Sequence, residues 1–118
     1  MWRPALAVSI TIAVAACGPS VVALTERPQL HYEEQVTIVA RVSRKEVLGD
    51  DALLELTDPQ ERRILARVAA KDAPPLERWV KVRGVFTAEL RVGDRVVYDV
   101  IAVERLKKHR TPWFPYLF

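Results

Sequence analysis

The sequence holds one cysteine in 118 residues, Cys17, and only two histidines, His31 and His109. A single thiol excludes an internal disulfide, and these scattered nitrogen and sulfur ligands form no cluster with zinc-site spacing. Glycine is scarce too, at four residues, and none opens a phosphate-cradling loop. The G-x-S-x-G and H-E-x-x-H motifs of hydrolases are likewise missing. Adjacent carboxylates at Glu33-Glu34 and Asp50-Asp51 point to opposite sides of an extended chain, so they read as solvated loops rather than acid/base partners. These absences point away from catalysis. The apolar run Ala5 to Ala16 is twelve residues long, too short for a helix that spans a bilayer, which needs about 20.

That run follows a short basic start, Met1-Trp2-Arg3-Pro4, and ends in Val14-Ala15-Ala16 directly before Cys17, the layout of a secretory signal. Met1 to Cys17 closely resembles a bacterial lipoprotein signal peptide. The resemblance implies cleavage between Ala16 and Cys17, a diacylglyceryl thioether on Cys17, and attachment to a membrane through that lipid. At ~0.8 kcal/mol per buried methylene, two or more acyl chains hold a protein stably where one does not. Gly18, standing where Asp would retain the protein at the inner membrane, implies the periplasmic face of the outer membrane in a Gram-negative host. With Cys17 acylated, no thiol chemistry is left.

Cleavage leaves 102 of the 118 residues, enough for one domain with a modest core. Only Arg3 of the 18 Lys and Arg precedes Cys17, so 17 basic residues face 15 acidic ones in the remainder. Charges of both signs are interspersed, the pattern of a solvated surface rather than of a one-sided nucleic-acid stripe.

Residues 17–34 read as the lipidated cysteine and a tether, with Val21 to Leu24 able to dock as a short leading strand. About twelve flexible residues would reach ~20 Å. Gln35 to Arg44 then alternates, with Val36, Ile38, Ala40 and Val42 opposite Thr37, Arg41 and Ser43, which predicts a half-buried strand. Ala52 to Thr57 predicts a second strand, and Asp58-Pro59 a turn into a third over Arg62 to Ala69. Prolines 74 and 75 exclude a helix interior between the third and fourth strands. Trp79 to Phe86 alternates again, with Gly84 where a bend or close backbone approach is expected. Thr87 to Val92 continues it to a tight turn at Gly93-Asp94. In Arg95 to Leu106 both parities are apolar around Val100-Ile101, predicting burial on two sides where a sheet closes.

Five strands with little helix predict a mainly β fold, a small five-stranded Greek-key barrel over residues 35–108. An immunoglobulin-like sandwich is the competing architecture, and it needs about seven strands. Val36 to Val42, Leu53 to Asp58, Trp79 to Phe86 and Tyr98 to Leu106 together resemble the oligonucleotide/oligosaccharide-binding (OB) fold. A narrower similarity links the chain to the periplasmic haem chaperone of cytochrome c maturation, whose haem-attaching histidine follows the last strand. It implies haem at His109, although Trp113 stands where that family has a tyrosine.

The first three strands carry no aromatic residue, so base stacking, worth ~1 to 3 kcal/mol per base, has no platform there. Nucleic acid is therefore the disfavoured ligand. Arg41, Arg63 and Arg67 share the outward parity and are the candidate contacts for a protein or glycan of the envelope. Residues 109–118 form an aromatic, proline-rich tail. Its Trp113, Phe114 and Tyr116 predict either a plug for the open barrel end or a segment that docks on a partner or membrane interface. The expected function is thus binding or scaffolding by an anchored module, with no resident cofactor in the leading reading.

Overall fold

A computed structural model describes residues 19–111. Strand accounts for 60% of them, so the fold is mainly β. The strands are β1 (Gln35–Leu48), β2 (Asp51–Thr57), β3 (Arg63–Ala69), β4 (Trp79–Val92) and β5 (Arg95–Lys108). They close into a ring in the order β1-β2-β3-β5-β4. Every neighbouring pair is antiparallel except β3 with β5, which run parallel through Leu65↔Val100 to Arg67↔Ala102.

Ring closure depends on β1 serving two partners. Its first half pairs with β4, from Gln35↔Val85 to Arg41↔Trp79, and its second half pairs with β2. The two halves meet at a register shift between Val42 and Arg44. Ser43 is the extra residue there, its hydroxyl lying 2.9 Å from the Glu55 carbonyl oxygen and 2.8 Å from Thr57 Oγ1. An inserted residue bends and twists its strand, which lets one strand turn the corner between two sheets. β1 therefore runs four residues beyond Arg44, the end of the strand expected from alternation.

The inward parities of all five strands form the core, from Val36, Ala40 and Val42 through Leu54, Leu56 and Ala66 to Val80, Val82 and Ile101. Gly84 is required where β4 meets β5. A Cβ there would collide with the Ala102 carbonyl and lie 2.9 Å from Val103 Cα. The close approach predicted for this glycine is thus present, beside a bulge at Arg83/Gly84. β5 is buried on both sides as expected. Ile101 faces the main core, while Val100 faces a second, smaller cluster on the outside of the ring.

The flexible tether expected within residues 17–34 is corrected for the described part, residues 19–34. Val21–Glu26 forms a helix, α1, capped by Ser20, whose hydroxyl accepts from the Ala23 amide at 3.3 Å. Its i, i+3 pair Val21 and Leu24 is 3% and 1% exposed and belongs to the main core. Leu24 lies with Ile64 and Phe86 at the end of the ring where β1 and β3 begin. Residues 31–34 are fixed as well. The Glu33 amide donates to the Phe86 carbonyl at 2.7 Å and the Phe86 amide to the Glu34 carbonyl at 2.9 Å. Tyr32 stacks on Phe86 with ring centroids 5.6 Å apart.

The second cluster shows what the far half of the β4–β5 hairpin does. Leu90, Val92, Val97 and Val100 pack with Leu48, Leu53 and Leu65, outward residues of β1, β2 and β3. This arm crosses the outer face of β2 and β3 and reaches the β1–β2 turn. There the turn glycine Gly93, at φ +64°, sits against Leu48, and Arg95 grips Glu46 with both terminal nitrogens, at 2.9 and 2.8 Å.

Candidate functional site

The three outward arginines do not form one contact surface. Arg41 and Arg63 flank Thr57 in one cross-strand row, since Arg41 and Arg63 both pair with it. Arg67 stands four residues further along β3, opposite Leu53, or about 13 Å at ~3.3 Å per residue. Two of the three are already engaged by carboxylates. Arg41 meets Glu77 at 3.1 Å and Glu61 at 3.9 Å, and Arg67 meets Asp51 at 3.6 Å. The Arg67 Nε is buried without a partner among the described residues. Arg63 is exposed beside Tyr98 and Asp99, on the rim of a small cavity that also touches Leu24.

His109 follows β5, its backbone amide bonded to the Trp79 carbonyl at 2.9 Å. The ring is exposed, with Nδ1 2.8 Å from the Arg110 carbonyl oxygen. Its sequence neighbours Lys107, Lys108 and Arg110 are cationic and exposed. Cys17, Trp113, Phe114 and Tyr116 lie outside the described residues. Among the described residues no group of three or more His, Cys, Asp or Glu could hold a metal ion.

Two other features do assemble. The first is a groove of about 430 Å³ on the outer face of β1, β2 and β3, lined by Arg44, Lys45, Glu46, Leu53, Glu55 and Leu65. Leu53 and Leu65 give it an apolar patch that continues beneath the β4–β5 arm, and cations and carboxylates rim it. The arm is held at both ends. At its tip, Arg95 and Glu46 shift each other, the carboxyl falling below its ordinary value and the guanidinium rising, chiefly through their hydrogen bonds. At its root, Asp99 takes φ +53° and accepts a hydrogen bond from the Tyr32 hydroxyl. That bond holds the phenol above its ordinary value, because the proton it shares is harder to remove beside a carboxylate.

The second is a face of four cations. Lys81 and Arg83 on β4 lie beside Arg105 and Lys107 on β5, with Thr37 of β1, around a cavity of about 190 Å³. The register sets like against like, Lys81↔Lys107 and Arg83↔Arg105. None of the four has a carboxylate within 4.0 Å among the described residues. Glu104, left over at the bulge, instead accepts from Gln35 Nε2 at 2.8 Å, while Gln35 Oε1 accepts from Arg83 at 3.2 Å. Cross-strand like charges destabilise a sheet, so this grouping has a cost that a solvated mixture of signs avoids. Sequence reading missed it because the four residues come from two strands. The outward parity of Lys81 and Arg83 was visible, but Arg105 and Lys107 join them only through the β4–β5 register. No protein-family model matches the chain, and no curated protein does either.

Proposed function

We propose that the chain is an envelope lipoprotein anchored through Cys17. Its ring is an OB-type Greek-key barrel that binds a segment of a partner protein and carries out no reaction of its own. The strand order β1-β2-β3-β5-β4, with β3 parallel to β5, supports the barrel type. Barrels of that type take their ligands on the face of strands 2 and 3, between the β1–β2 and β4–β5 connections. The groove at Leu53 and Leu65 lies on this face, and it is the observation that carries the reading.

Its lining favours protein over glycan or nucleic acid. An extended peptide can fill apolar positions while its polar groups meet rim charges of either sign. Sugars and bases call for aromatic platforms, and none of the groove residues is aromatic. The test is a photo-crosslinking residue placed at Leu53 or at Leu65 in the full chain, in its own host. A discrete protein adduct that disappears on Glu55→Lys, with folding intact, is the expected result. Adducts that are absent from both groove positions, but present at an exposed control such as Lys71, would reject the groove as the partner site.

A further inference from the structure

We propose that the four-cation face of β4 and β5 rests on the anionic headgroups of the bilayer that holds the Cys17 anchor. The inference builds on the lipoprotein reading and adds an orientation to it. Lys81, Arg83, Arg105 and Lys107 have no carboxylate partners among the described residues and repel one another in pairs. A layer of anions across the face would relieve that repulsion, which the described residues meet only indirectly, through the Arg83–Gln35–Glu104 hydrogen bonds.

The position of the anchor selects the occupant. Pro19, one residue before the N-cap of the core-packed α1, lines a cleft with Thr37 and Val39. Thr37 also lines the cation cavity. From Cys17 to Pro19 the backbone can extend at most ~7 Å, at 3.3–3.6 Å per residue. A lipid on Cys17 therefore brings the membrane surface to this side of the ring, not ~20 Å away. Charge complementarity then points to phosphate-bearing lipid, since each Lys or Arg close to an anionic surface strengthens attachment about fivefold. The half-buried Trp79 continues the outward parity of Lys81 and Arg83, and Trp is a residue enriched at the level of lipid headgroups.

The full chain, purified from its own membranes, would be placed in vesicles of phosphatidylcholine alone or enriched in phosphatidylglycerol. A water-soluble amine-acylating reagent then reports on each lysine by peptide mass. Lys81 and Lys107 should lose reactivity severalfold relative to exposed Lys71 in the anionic vesicles only, and regain it at high salt. Equal labelling in both vesicles overturns the proposal. A second measurement removes the anchor. The Cys17→Ser chain should sediment with anionic vesicles, and adding Lys81→Gln and Lys107→Gln, with an unchanged urea midpoint or a raised one, should weaken this by roughly 25-fold.

Intact mass separates the two readings. A chain without acyl groups that still shows the protection refutes the anchor and leaves the face standing. An acylated chain without protection refutes the face alone. A single-stranded oligonucleotide that binds the Cys17→Ser chain more tightly than anionic vesicles do would reassign the face to nucleic acid and overturn the proposal.

Discussion

The two outward faces of this ring are built from the same alternating strands, yet they treat charge in opposite ways. On the β1–β2–β3 face, Arg41, Arg67 and Glu46 are each held by an oppositely charged neighbour. The leucines of that face are partly covered by the chain's own hairpin arm. On the β4–β5 face, four cations stand together and unneutralised among the described residues. A chain with near-balanced charge can thus present one face where several cations are paired with carboxylates and one where four neighbouring cations have none among the described residues. Composition averages over that difference, and only strand register reveals it.

The largest expected effect removes both faces at once. Phe86 is 1% exposed, backs onto Tyr32, and belongs to the strand that the arm extends. Phe86→Ala should cost about 3–5 kcal/mol, the usual range for emptying an aromatic core site, read as a fall in the urea midpoint. Loss of the ring should abolish groove crosslinking and vesicle binding together. Retention of either function in an unfolded variant would break the link between fold and face. Val97→Ala is the smaller and more local counterpart. It takes two methyl groups from the outer cluster, about 1.5 kcal/mol at ~0.8 per carbon, and should loosen the arm over the groove while leaving anionic-vesicle binding unchanged.

Opposite signs sharpen the comparison further. Lys107→Glu replaces a like-charge pair with Lys81 by an attractive one, and should raise stability by a few tenths to about 1 kcal/mol. Arg41→Glu places a third carboxylate beside Glu77 and Glu61 and should lower it. If both substitutions destabilise equally, the two faces do not differ in charge balance and the contrast fails. The midpoints of the two variants in low and high salt decide the matter, because screening should shrink both effects.

The sequence made the strands legible and the faces only half so. Alternation and apolar runs located all five strands, glycine located the Gly93-Asp94 turn, and Gly84 stood out as a backbone contact within an alternating strand. Helix α1 escaped notice because six residues give fewer than two turns, and Val-Val-Ala-Leu fits a strand as well as a helix. Ser20 ahead of an i, i+3 apolar pair was the available signal. The extension of β1 was hidden by its bulge, which shifts parity at Ser43 and makes Val47-Leu48 look out of phase. The arginine trio was chosen on shared parity, but parity says nothing about which outward cation already has a partner. Glu61 and Glu77, which hold Arg41, come from turns and take φ +65° and +68°, a conformation that sequence alone did not assign to them.

The smallest effect tests how the covered face is kept covered. Glu46 binds Arg95 at the tip of the arm, and the hydrogen bonds from that guanidinium hold its carboxyl below the ordinary value near 4.5. A carboxyl depressed in the folded state adds stability above its unfolded value, and this is lost as the pH falls through the folded value. Both groups are half exposed, so solvent screens most of the interaction and the effect should be slight. The difference in urea midpoint between the parent chain and Glu46→Gln should therefore be small but positive at neutral pH. It should close as the pH falls through the lowered folded-state value and the carboxyl takes up its proton. At the arm's root the sense reverses: the raised Tyr32 phenol favours the folded state below pH 10 and ceases to do so as alkali removes its proton. An acid-labile tip with an alkali-labile root would mark the arm as pinned by two independent contacts. A midpoint difference for Glu46→Gln that does not change with pH would show that the Leu48–Gly93 packing alone holds the tip in place.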